Sequence, residues 1–139
     1  MNTREYLSQV YHIDQRINSK IAQVEALRAL AEKSVTALSD TPHNKTHNVH
    51  HMEDIIVEMV DLEVEINADI DNLVDLKEEV AALIQRVQSS KLRRLLELRY
   101  LYFRTWEQIA AELHRDIRGI YRMHNRALRE IDAIRSSLR

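Results

Sequence analysis

The chain has 139 residues, a net charge of −2, one Gly, one Pro and no Cys. So little turn chemistry leaves strands and hairpins nothing to work with, and the lack of Cys excludes a disulfide framework and thiolate chemistry. No basic–apolar–small leader opens the chain, and no apolar run approaches the ~18 residues of a membrane span, so a soluble, intracellular, all-α protein is expected.

Apolar residues recur at helical spacing from about residue 3 to residue 38. Val10, Ile17, Val24, Ala31 and Leu38 fall seven apart, the period of a coiled-coil seam. "SDTPHNKTHNVH" then interrupts, and Pro42 cannot continue a helix, so a loop is expected over 39–50. His43, His47, His50 and His51 cluster there. His47 and His51 are spaced to chelate a metal on a helix, but no further ligands accompany them, and a polar loop is the simpler reading. The seam resumes to about residue 88 through Met52, Met59, Ile66, Leu73, Val80 and Val87, with Ile55, Leu62, Leu76 and Leu83 as its second row. Asp69 occupies one position of that second row. Two long helices with a short connection predict an antiparallel coiled-coil hairpin over 1–88. Such long stripes favour a homodimer through this hairpin or docking on a partner.

The charge is uneven. Residues 53–79 carry one Lys and eleven acids, whereas residues 86–139 carry thirteen Lys/Arg and six acids. The acids suit a solvated coiled-coil face, although a basic partner or mimicry of DNA would use them too. The basic end is the place to seek an anionic partner.

Ser89 and Ser90 offer an N-cap to a compact domain over 89–139, with helices expected at about 90–102, 106–113 and 117–135. Thr105 and Gln108 have the spacing of a capping box. Ile109, Ala110 and Leu113 form the apolar side of the short helix. His114 and Arg115 make the turn, and Asp116 caps the next helix. Ile120, Met123, Ala127, Ile131 and Ile134 are that helix's buried side. This is a helix-turn-helix pattern. Arg118, Tyr121, Arg122 and Asn125 then share the opposite face, as candidates for reading base edges. Arg126 and Arg129 flank it, and with Thr105 and Gln108 at the preceding helix start they are candidates for phosphate contact. Arg93, Arg94, Arg99 and Arg104 either extend this surface or pair with acids of the first helix. Gly119, costly in a helix interior, raises the question of close backbone approach to DNA or a neighbouring helix.

"LLELRYLYFRTWEQIAAELHRDIRGIYRMHNRAL" resembles the last helix-turn-helix, region 4, of sigma-70-type RNA polymerase sigma factors. The shared elements are "LRY", the Thr105, Glu107, Ile109, Ala110 pattern, and the closing Arg126, Ala127, Leu128. The turn usually carries Gly where this chain has His114, a residue that tolerates positive φ. The resemblance covers about the last third of the chain. It implies promoter recognition and contact with RNA polymerase, but the promoter-melting part of a full sigma factor has no counterpart here. With "INADIDNLVDLKEEV", nearly the whole chain is similar to a family of small phage and prophage proteins of uncharacterised function. The resemblance implies a protein of the bacterial host cytoplasm.

No phosphate loop, nucleophile motif or metal triad is present, so neither an enzyme nor a cofactor is expected. The expected function is a phage-type transcriptional regulator that binds double-stranded DNA. A packaging adaptor of the small-terminase kind, and a coiled-coil scaffold whose C-terminal domain binds protein, are the alternatives.

Overall fold

The computed structural model describes residues 1–40 and 45–138, with the side chains of residues 36–50 outside that description. The described residues are helical and contain no strand. The elements are α1 (Thr3–Asp40), α2 (Lys45–Gln85), α3 (Ser90–Leu96) with a π-helical turn Glu97–Leu101, α4 (Trp106–Leu113) and α5 (Ile117–Ser137). None of these helices is long and apolar enough to cross a membrane.

The expected all-α architecture holds, with three adjustments of boundary. The interruption expected over 39–50 is shorter, because α1 reaches Asp40 and α2 begins at Lys45. Residues 45–50 are mostly polar but contain no Gly or Pro, so nothing in them stops a helix. His43 lies outside the described residues, as do the side chains of His47 and His50, so the metal question at this cluster does too. The second adjustment is at α3, whose last turn is π-helical, with the Tyr102 N–H donating to the Glu97 carbonyl at 3.0 Å. Phe103 follows at φ 57°, a left-handed conformation that is strained for a bulky residue. Its ring is held edge-on to Tyr11, with centroids 5.4 Å apart, and Lys77 Nζ stands 5.5 Å from its centre.

The third adjustment concerns units. The described residues fall into two compact bodies, one within Asp14–Asn72, the other Met1–Ile13 together with the chain from Leu73 onward. In the first body, Arg16 and Lys20 of α1 both bond Asp69 of α2, and Lys20 also lies 3.7 Å from Glu65. Partners descend along α2 as α1 ascends, so the two helices run antiparallel. Ile17, Val24 and Ile55 are buried between them.

The second body joins the start of α1 and the end of α2 to the C-terminal helices. Leu7, Val10, Val80, Leu83, Ile84 and Val87 share one core with Leu92, Leu95, Leu96, Ile109, Ile120, Ala127 and Ile131. Packing therefore divides elsewhere than at the expected boundary between residues 88 and 89. The reason is legible in α2 itself. Leu83 and Ile84 are adjacent and both buried, so this end presents a broad apolar side rather than a narrow seam, and more than one neighbour must cover it. Ser89 caps α3 by accepting from the Leu92 N–H at 3.3 Å. Arg93 braces the connection between α2 and α3, donating to the carbonyls of Val87 and Gln88 at 2.6 and 3.1 Å.

Candidate nucleic-acid interface

The α4–turn–α5 segment is set by its caps. Thr105 Oγ1 accepts from the Gln108 N–H at 3.1 Å, and Gln108 Oε1 accepts from the Thr105 N–H at 2.9 Å. That reciprocal pair is the expected capping box. Both side chains keep a donor beyond it, the Thr hydroxyl and the Gln amide. His114 ends α4 at φ 55°, ψ 46°, the left-handed position usually given to Gly. The Arg115 N–H then donates to the Ala110 carbonyl at 3.0 Å, closing the turn. Asp116 starts α5, accepting from the Gly119 N–H at 2.8 Å. A β-carbon at Gly119 would stand 2.7 Å from that same Asp116 oxygen. Within the chain, the close approach at Gly119 is therefore to its own helix cap and not to a neighbouring helix.

The inner side of α5 is apolar as expected, with Ile120, Met123, Ala127 and Ile131 buried and Ile134 half-buried. His124 is buried there as well, only 4% exposed. Its Nε2 lies 2.6 Å from the Tyr100 hydroxyl. Trp106 packs edge-on to His124 and to Tyr121, with centroids 4.7 and 5.4 Å away, and the Arg99 guanidinium covers the Trp106 ring at 4.2 Å. Burial, reinforced by the charges of Arg4 and Arg99, depresses the His124 pKa to about 4. Burial likewise raises that of Tyr100. The pair is thus neutral near pH 7.

The outer side of α5 carries Arg118, Tyr121, Arg122, Asn125, Arg126 and Arg129, all exposed. Among the described residues, Arg118, Arg122, Arg126 and Arg129 make no ion pair and no side-chain hydrogen bond. Arg115 is exposed too and continues the same row one turn toward the N-terminus. Beyond its place in the turn, it belongs to a row in which Arg115, Arg118, Arg122, Arg126 and Arg129 recur at intervals of three or four in the sequence. Arg118 to Arg129 spans about 16 Å of helix.

The other arginines divide differently. Arg94 lies 3.7 Å from Glu97 and 3.5 Å from Glu112. Arg93 is committed to the connection between α2 and α3, and Arg99 to Trp106 and the Arg104 carbonyl. Three of the four residues Arg93, Arg94, Arg99 and Arg104 therefore have partners within the fold, and Arg94 pairs with Glu97, an acid of its own helix as expected over 90–102.

A cap-defined pair of helices with one basic exposed face, standing on an all-α core, is the class of protein that these features define. The chain belongs to the family described as "Protein of unknown function (DUF1492)", whose model matches residues 42–132. The match spans α2, α3, α4 and most of α5. No curated protein and no solved structure matches the chain.

Proposed function

We propose that the protein is a sequence-specific DNA-binding transcriptional regulator of phage type, using α4 and α5 as a sigma region 4-like helix-turn-helix. The observation that carries this reading is the unpaired arginine row on the exposed side of α5. Cations that serve a fold are expected to sit near its acids, and Arg16, Lys20 and Arg94 do so. Those on α5 face solvent in a line, as a polyanion requires.

On this reading Arg118, Tyr121, Arg122 and Asn125 enter the major groove and read base edges. The groove is about 12 Å wide, less than the length of the arginine row, so Arg126 and Arg129 fall on the sugar–phosphate backbone. Thr105 and Gln108 offer their remaining donors to a phosphate at the start of α4. Arg122→Ala should cost ~1–3 kcal/mol of binding and relax preference at one or two base positions. Arg129→Ala should weaken binding to all sequences alike and lower the salt slope by about one. Neither exposed side chain supports the core, so helix content should be unchanged. Binding of each variant to a selected and a scrambled duplex, across a salt series, checks both. A folded Arg122→Ala that binds both duplexes as wild type does removes α5 from the reading role. Wild type without salt-dependent binding removes DNA altogether and leaves the scaffold reading.

Self-association through residues 1–88 belongs to the same proposal. Ile56, Val57, Val60 and Val64 are at least half exposed on α2, on the side away from buried Ile55 and Asp69. A second copy would cover them, and a two-fold pair would present two α5 helices to DNA. Sedimentation of the full chain at tens of micromolar should give a dimer. A monomer overturns this part, and a ring larger than a tetramer favours the packaging adaptor.

A further inference from the structure

The first turn of α1 is far in sequence from the basic row but is fastened beside it. Asn2 accepts from the Glu5 N–H at 2.8 Å and fixes the helix start. Thr3 is 5% exposed, and its hydroxyl donates to Asp132 of α5 at 2.8 Å while accepting from Arg135 at 3.1 Å. The Arg135 guanidinium also lies 4.5 Å from the Tyr6 ring centre, so the turn is held at several points. Arg4, next to Thr3, is exposed and makes no ion pair among the described residues. It lines one open cleft of about 300 Å³ with Asn2, Thr3, Leu128, Arg129 and Asp132. The cleft holds two guanidinium groups against one carboxylate, and Thr3 already donates to that carboxylate. A net positive cleft at the C-terminal half of α5 suits one phosphodiester group.

We infer that Arg4 is a further phosphate-contacting residue of this surface, gripping with Arg129 the strand that α5 passes as it leaves the groove. The inference rests on the DNA-binding reading above and adds to it a segment outside the matched residues 42–132. Arg4 carries no base information, because its place is beside Leu128, Arg129 and Asp132 and away from Arg118 and Arg122. Its charge is felt at His124 and Tyr100, which agrees with a location against this flank of α5.

The test is duplex binding by the full chain over a salt series, for wild type, Arg4→Ala, Arg4→Lys, Arg28→Ala and Arg122→Ala. Arg28 is exposed on α1 in the other compact body, so its loss changes net charge equally without touching the cleft. Arg4→Ala should lower the salt slope by about 0.9 and weaken binding about fivefold near 0.15 M salt, with the ratio of selected to scrambled duplex unchanged. Arg4→Lys should keep the slope, and Arg28→Ala should bind as wild type does. Arg4→Ala equal to Arg28→Ala, while Arg122→Ala still loses affinity, overturns the role of Arg4 and leaves the DNA reading standing. A change in the duplex ratio for Arg4→Ala overturns it as well, since a phosphate contact carries no preference. Absence of binding by wild type overturns both. Circular dichroism of each variant, with Arg4→Gln as a second neutral replacement, separates loss of contact from loss of fold.

Discussion

Lowering the pH from 7 to 5 should destabilise the C-terminal body by about 2 kcal/mol through His124 alone. The imidazole is buried against Tyr100 and Trp106, and its pKa falls to about 4. An unfolded chain would protonate the same ring near its ordinary value of about 6.5. As pH drops through 6.5 the unfolded state therefore gains a proton that the folded state refuses. Stability falls from there until about pH 4, where the folded state accepts the proton too, and this group then contributes no further change. The full loss is about 3 kcal/mol, a large part of the stability of a small domain. The direct measurement is an NMR titration of the His124 ring nitrogens, which should show a neutral imidazole at pH 5. A midpoint near 6.5 would sink the prediction. His124→Gln can keep the hydrogen bond to Tyr100 without titrating, so its thermal midpoint should change less between pH 7 and pH 5 than that of wild type.

His124 also shows where the sequence is mute. The period of α5 places Ile120, Met123, Ala127, Ile131 and Ile134 inside; the first four are buried and Ile134, near the helix end, is half-buried. His124 lies next to Met123 and toward the same side, but a histidine at that position carries no mark of its partner. The hydroxyl that satisfies it comes from Tyr100, 24 residues away, in a π-helical turn that no pattern announced. Local features were legible because their chemistry is local. Ser89, Thr105 and Asp116 each bond a backbone N–H three residues on, and His114 takes the left-handed turn. The exposed face of α5 followed from period alone, since a buried stripe fixes its opposite. Long-range closure was not legible. Nothing in "MNTREYL" signals that Thr3 will meet Asp132, or that the start of α1 will share a core with Ile131. The width of the apolar stripe at Leu83 and Ile84 was the available clue that α2 ends inside a globular body, and a strict seven-residue count passes over it.

Asp69→Ala is expected to destabilise the body formed by Asp14–Asn72 by roughly 2–3 kcal/mol. Asp69 occupies a seam position where Leu62 and Leu76 stand seven residues to either side. Its carboxylate receives Arg16 at 3.0 and 3.2 Å and Lys20 at 2.8 Å. Removing a fully buried partner costs ~3–5 kcal/mol, and the lower figure here reflects Arg16, whose side chain is 52% exposed and can return to water. Lys20, 19% exposed, retains most of the penalty. Hydrogen bonds from Arg16 and then Lys20 hold the Asp69 carboxyl below the usual carboxylate range. The bridge is accordingly intact above about pH 4 and is lost as pH falls below that, a window separate from that of His124. The three side chains also fix register. A slip by seven residues would leave the apolar rows matched but would set Arg16 and Lys20 against Leu62 or Leu76. Asp69→Leu should therefore pack the seam and recover much of the stability lost in Asp69→Ala, yet admit more than one pairing of α1 with α2. Denaturation midpoints check the first effect. Distances between spin labels at Arg28 and Glu58 check the second, with one distribution in the parent and a broadened or doubled one in Asp69→Leu. Equal midpoints for wild type and Asp69→Ala would mean that desolvation of the three charges cancels their attraction. A single sharp distance in Asp69→Leu would mean that apolar packing alone sets the register.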